Sequence, residues 1–143
     1  MACNLILENN CDNKSDNKSV SINEISTLSL AFLGDGVYDL LVRRYLVNLK
    51  NYPVKKLNEL KVSLVNCKAQ AESMKKLMPL LTQEESEIFK RGRNTKVNSV
   101  SKHSTISDYH TATGLETLFG YLYLKGDKNR INELFSQIII DEV

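Results

Sequence analysis

At 143 residues the chain has the length of one domain that can bury a real core, and it lacks the length for two. Hydrophobic residues at 42% and charged residues at 25% match soluble globular averages, and two prolines and six glycines leave room for long helices. A formal charge of +2 is too small to mark a nucleic-acid binder, so any such case rests on where the charges lie. Cys3, Cys11 and Cys67 are scattered without zinc-site or redox-pair spacing and read as free thiols in a reducing compartment. No apolar run reaches the roughly 18 residues of a membrane span, and the N-terminus lacks the layout of a signal peptide. A cytoplasmic protein without a membrane partner is expected.

Residues 1–20 read as a disordered tail, because the stretch from Glu8 to Lys18 is almost wholly polar and has no periodicity that could dock it. The folded domain is expected over 21–143. Ser21 and Glu24 fit a capping box before the apolar series Ile25, Leu28, Leu30 and Phe32. Gly34 separates that stretch from a second one through Val37, Leu40, Leu41, Tyr45 and Leu46, so either two helices or one sharply bent helix is expected. Leu57, Leu60, Leu64, Cys67 and Ala71 recur at helical spacing, with Met74, Leu77 and Met78 beyond them, as one long helix or two abutting ones. Thr82 and Glu85 form another capping box and open a charged helix to about Arg91. Gly92 to Ser107 is a long polar connection, of the kind that often carries function. The apolar pattern resumes from Tyr109 to Leu124, and Asp127 or Asn129 caps a last helix with Ile131, Leu134, Phe135 and Ile138. The fold class is all-α, an irregular bundle of six or seven helices.

Two segments carry candidate chemistry. In Phe32-Leu33-Gly34-Asp35-Gly36-Val37-Tyr38-Asp39 two acids stand four residues apart on one helical face among apolar neighbours. A core-facing Asp35 needs a metal or a basic partner, whereas an Asp35 that merely caps a helix after Gly34, with Asp39 in solvent, needs neither. Chemistry alone leaves both open. Glu116 is the only acid between Tyr109 and Leu124, and Gly120 one turn on leaves room for close backbone approach; an isolated Glu at a core edge is also often structural. From Ile88 to Ser107, Lys90, Arg91, Arg93, Lys96 and Lys102 give a local charge of +5 with no acid. With Asn94 and backbone amides they suit a duplex phosphate backbone, although charge runs are commonly plain solvated surface. Lys61 and Lys68, on the preceding helical stretch and on one face of it, are further candidates, beside Lys55 and Lys56. The basic loop lacks the aromatics of a single-strand stacking platform.

The Gly-Asp segment resembles the ribonuclease III signature, and Glu116-Thr117-Leu118-Phe119-Gly120 resembles that family's second acidic segment. With Lys68-Ala69-Gln70-Ala71 and Arg91-Gly92-Arg93-Asn94-Thr95-Lys96 between them, the order is similar to Mini-ribonuclease III, the short family of ribonuclease III catalytic domains, over roughly Ile25 to Phe135. Leu28, Ala31 and Thr113 stand where full-length relatives carry acids, and no double-stranded-RNA-binding domain is expected after the catalytic one.

The resemblance implies a metal-dependent endoribonuclease that hydrolyses double-stranded RNA, with precursor large-subunit ribosomal RNA as natural substrate. Asp35 and Glu116 would be the catalytic acids and the ligands of Mg²⁺, which is commonly held by one or two carboxylates plus phosphate oxygens. Asp39 would contribute indirectly through water. It also implies a homodimer, with Leu30, Phe32 and Leu33 as interface candidates that ordinary core packing would explain as well. Neither His103 nor His110 has a partner that makes it a general base, which disfavours a metal-free ribonuclease. The competing reading is a non-catalytic double-stranded-RNA-binding helical domain. A helical protein-interaction module stands behind it.

Overall fold

The computed structural model describes residues 20–96 and 105–140. The Ser21/Glu24 capping box forms, but it closes only one 3-10 turn, Ile22–Glu24. The first long helix starts later, where the Ser26 hydroxyl accepts a 3.1 Å bond from the Ser29 amide. This helix, α1, runs over Thr27–Leu49 without a break at Gly34. A glycine in a helix interior costs about 1 kcal/mol relative to alanine; here tertiary packing at that glycine, described below, overrides the local preference.

The apolar stretch after Pro53 is two abutting helices, α2 (Val54–Val65) and α3 (Cys67–Leu77). Asn66 makes the joint, its backbone extended at φ −68° and ψ 160°. Its Oδ1 accepts from the Ala69 amide at 2.8 Å while its Nδ2 donates to the Val62 carbonyl at 3.0 Å, so one side chain caps both helix ends. The break puts Lys61 and Lys68 on different helices, and they do not share one face as a continuous helix would have made them.

A 3-10 turn through Pro79 leads to α4 (Gln83–Arg93), which opens at the expected Thr82/Glu85 capping box. Helix α5 (Ile106–Lys125) ends at Gly126, whose φ of 81° is the left-handed conformation that glycine adopts without penalty. Asp127 then caps α6 (Lys128–Ile139), its Oδ1 accepting from the Arg130 amide at 3.1 Å. Six α-helices and two 3-10 turns make up the regular structure of the described residues, in keeping with the all-α expectation. None of the described helices is long and apolar enough to cross a membrane.

Helix α5 is the axis of the bundle. It has no solvent stripe over its middle turns: Ala112 through Leu115 and Thr117 through Gly120 are all buried, leaving Glu116 as the half-exposed exception. Helices α1, α3, α4 and α6 pack around it. Tyr38 of α1 meets Phe119 of α5 and Phe135 of α6 edge-on, at centroid distances of 5.6 and 6.0 Å.

A buried ion pair locks α4 to α6. The Glu85 carboxylate, already bonded to the Thr82 amide, takes two bonds from Arg130, Nε at 2.9 Å and Nη2 at 2.8 Å. Arg130 Nη2 also donates to the Leu80 carbonyl at 2.7 Å, and Nη1 meets Glu133 at 3.1 Å. Arg130 holds the Glu85 carboxyl below its ordinary value, so this pair stabilises the fold above about pH 4.5 and is lost as the pH falls further. Arg130→Met leaves Glu85 charged and buried with only the Thr82 amide to bond it, and should cost about 3 kcal/mol. Urea unfolding at pH 7 checks this, and a loss below about 1 kcal/mol would mean solvent already screens the pair.

Candidate active site

The site begins with a crossing of α1 and α5 at backbone contact. A Cβ added at Gly34 would lie 1.6 Å from the carbonyl oxygen of Glu116, and one at Gly120 would lie 2.0 Å from that of Leu30. No side chain fits at either position, so two glycines from distant parts of the sequence let the two main chains touch. The residues beside this crossing, Asp35 on α1 and Glu116 on α5, are thereby brought together at the end of the crossing that reaches solvent.

Asp35 is exposed and Glu116 half-buried. Burial and the Asp35 charge push the Glu116 carboxyl up to about 7, against a hydrogen bond from the Gln70 side chain that favours its anion. Partial burial and the Asp39 charge raise Asp35 as well, while Lys61 pulls it down. Asp39, one turn beyond Asp35, is not the free surface acid of one reading: Arg43 Nε bonds it at 2.5 Å and Lys61 Nζ approaches it at 3.5 Å. Asp35 sits mid-helix and caps nothing.

Two carboxylates brought together at a surface, each raised first by burial and then by a neighbouring acid, form a donor set suited to a hard divalent cation that keeps most of its water. The described residues contain no cluster of three or more His, Cys, Asp or Glu side chains that could hold a metal. The positions where longer relatives carry further acids explain this: Ala31 is buried, Leu28 lies exposed on the first turn of α1, and the Thr113 hydroxyl is buried and donates to the Tyr109 carbonyl at 3.0 Å.

The cations expected on a single RNA-binding surface fall into separate places. Lys61 belongs to the acidic centre, its side chain only 20% exposed beside Asp39. Lys68 lines a cleft of about 430 Å³ between α1, α2, α3 and α6. Arg91, Arg93 and Asn94 lie at the C-terminal end of α4, which is bound to α5 by a second tight crossing: a Cβ at Gly92 would lie 2.3 Å from the Thr117 hydroxyl. Arg91 Nε donates to the Thr27 hydroxyl at 3.0 Å, and Arg93 stacks its guanidinium 5.6 Å from the Phe89 ring centre. Arg93 and Asn94 line a polar cleft of about 420 Å³ with Ser107, His110 and Thr111. Lys90 and Lys96 are exposed near it in the chain, and Lys102 lies outside the described residues.

Of the expected interface residues, Leu30 is 1% exposed and packs inside the chain, so it leaves that set. Leu33 is partly buried against the core. Phe32 is 84% exposed, with Leu28 exposed one turn before it, a pairing that the four-residue spacing on one helix face could have signalled. Gln70 is the part of the site that patterning missed, and Lys61, a candidate for the RNA surface, sits instead against Asp39; each reaches an acid on another helix.

The ribonuclease III domain family model matches residues 28–127. The chain belongs to this family, in its Mini-ribonuclease 3 branch. It is 47% identical to "Mini-ribonuclease 3" of Thermoanaerobacter sp. (strain X514) over 118 residues, 80% of this chain and 83% of that protein. It is 38% identical to the Clostridium tetani protein of the same name over 119 residues, 82% and 79% of the two chains. A crystal structure of a Fusobacterium nucleatum protein superposes with a TM-score of 0.79 at 33% identity, covering 87% of this chain and all of that one. Ribonuclease III family membership makes the chain an endoribonuclease, and the Asp35/Glu116 pair is its candidate centre.

Raised acids give the site a pH signature. Folding binds the Glu116 proton more tightly than the unfolded chain does, so its contribution to stability is full below about pH 4.5 and is lost as the pH rises through about 7. The melting temperature of protein stripped of divalent ions should therefore fall by several degrees from pH 5 to pH 8, and Glu116→Gln should flatten that decline. Parallel curves for the two proteins would show that Glu116 titrates normally.

Proposed function

We propose that this endoribonuclease hydrolyses phosphodiester bonds in double-stranded RNA with Mg²⁺, that it acts as a homodimer, and that its natural substrate is precursor large-subunit ribosomal RNA. The observation that carries the reading is the pairing of Asp35 and Glu116 across the glycine crossing, open to solvent beside the Lys61 ammonium. Asp35 and Glu116 would hold the cation, and a bound divalent ion supplies both a nucleophilic water near neutral pH and a counter-charge for the phosphate. The chain's own part is positional. The two helices fix the carboxylates, Asp39 anchors Lys61 next to them, and the basic end of α4 receives the duplex backbone.

Recognition of duplex RNA would go through its A-form shape, phosphates and 2′-hydroxyls, because side chains cannot read the deep and narrow RNA major groove. Arg93, Asn94, Ser107, His110 and Thr111 offer donors of that kind around one cleft. The exposed Phe32 and Leu28 support a two-fold contact along α1, which would bring two acidic centres to one duplex, one for each strand. Sedimentation of Phe32→Asp against wild type reads that contact directly, and a wild type that stays monomeric while cutting both strands would remove the dimer.

Asp35→Asn and Glu116→Gln should each abolish cleavage of a labelled RNA duplex in Mg²⁺ while the circular dichroism stays native, since each removes an anionic ligand at nearly constant shape. Wild-type turnover in either variant would release that residue from its role. Replacing Arg91, Arg93 and Lys96 together by Ala in the Asp35→Asn background should weaken binding to duplexes of unrelated sequence by similar factors. It should also make affinity fall less steeply with salt, because fewer counterions are released. An unchanged affinity and slope would move the RNA face to Lys55, Lys56 and Lys68.

A further inference from the structure

Gln70 is 2% exposed, a polar side chain inside the bundle. Its Nε2 donates to the Val65 carbonyl at 3.0 Å, and the same side chain is hydrogen-bonded to Glu116. Its Oε1 is buried with no hydrogen-bond partner among the described residues. Turning the amide over does not help. That would set the carbonyl oxygen against two acceptors, the Val65 oxygen and the Glu116 carboxylate, so the network itself fixes the orientation.

A buried carbonyl left unpaired is destabilising, and an apolar side chain of the same shape would avoid that cost. Tyr45 and His110 also carry buried polar atoms without partners, but only Gln70 among these touches a carboxylate of the acid pair. Its position has a structural cause. Asn66 stops α2 and restarts the chain as α3, and Gln70 one turn later lies where α3 packs on α5.

We propose that Gln70 is a positioning residue of the acidic centre, its amide N–H fixing the Glu116 carboxylate and its unpaired carbonyl accepting from the hydration water of the divalent ion held there. This rests on the metal-dependent reading above. Partners one shell out from a metal typically change its affinity by about 10- to 100-fold when removed. Two carboxylates are few ligands, so the hydration water matters more, and the amide supplies an acceptor for it without adding a third charge to a crowded site.

The test is calorimetric titration of Mg²⁺ into RNA-free protein, with melting temperature and duplex affinity in divalent-free buffer measured beside it. Gln70→Met, close in shape and without hydrogen bonds, should weaken Mg²⁺ binding about 10- to 100-fold while duplex affinity stays at the wild-type value. At limiting Mg²⁺ its kcat should fall, and excess Mg²⁺ should restore it. Gln70→Glu adds a carboxylate beside Glu116, so it should melt below wild type without Mg²⁺ and gain more from Mg²⁺ than wild type does. This second variant decides alone if the methionine variant does not fold. A folded Gln70→Met with wild-type Mg²⁺ affinity and only a lowered melting temperature would reduce Gln70 to packing and overturn the proposal. So would a Gln70→Glu protein that gains no more from Mg²⁺ than wild type. A wild type that binds no Mg²⁺ would overturn the metal-dependent reading itself, and this inference with it.

Discussion

The contact of bare backbone between Gly34 and Gly120 sets the geometry on which the rest of the site depends. With any side chain at either glycine, α1 and α5 would separate by the width of at least a methyl group, and the acids next to them would separate too. The crossing also works against electrostatics. Asp35 and Glu116 repel, and burial penalises the charge on each, so nothing in their own chemistry draws them together. What holds them is the apolar packing of α5, where Leu115, Leu118 and Phe119 are wholly buried on either side of Glu116. The core supplies the free energy that a pair of unwilling carboxylates requires.

The same helix coordinates acid and base. Glu116 lies between Gly114 and Thr117, and those two meet Gly92 and Phe89 of α4 at the second tight crossing. From His110, on the polar cleft with Arg93, to Glu116 is six residues of one helix, an axial rise of about 9 Å. A rigid helix thus fixes how far the proposed phosphate-binding groups stand from the acids. Lys61 serves the centre differently: it arrives from α2 and is tied by Asp39, an acid that is itself shared with Arg43.

Much of this was legible in the sequence where the cause is local. The Thr82/Glu85 capping box marks the start of α4 because both halves of it lie within one turn. Glu116 drew notice as a lone acid in an apolar run, and Gly120 as a place where backbone could approach. The failures share one origin. Gly34 read as a break because local propensity cannot see α5 pressed against it, and Leu30 read as a possible interface because an apolar helix position does not say which apolar neighbour covers it. Asn66 interrupts a helical apolar pattern that continues on both sides, so periodicity passed over it. The role of Gln70 and the pairing of Lys61 with Asp39 are invisible for a related reason: each side chain acts on an acid in another helix, and spacing along the chain holds no trace of such pairs.

The local charges suggest how an empty and a loaded centre would differ. Asp39, Arg43 and Lys61 form a linked group in which two cations face one anion. Adding Asp35 brings the formal sum to zero, and Glu116, raised to about 7 and so roughly half ionised near neutral pH, takes it below zero. Without a divalent ion, the centre therefore carries no net positive charge near neutral pH and offers a phosphate little attraction. In the proposed reading, Asp35 and Glu116 would both be ionised around the divalent cation they hold, and the local sum would become about +1. Attraction for the scissile phosphate then appears only when the chemistry can proceed, and a further fixed carboxylate would cancel it. On this argument the acids missing at Ala31 and Thr113 match the balance of the site: with Lys61 already supplying a positive charge, two carboxylates are enough to hold the ion and leave the charge that the phosphate needs.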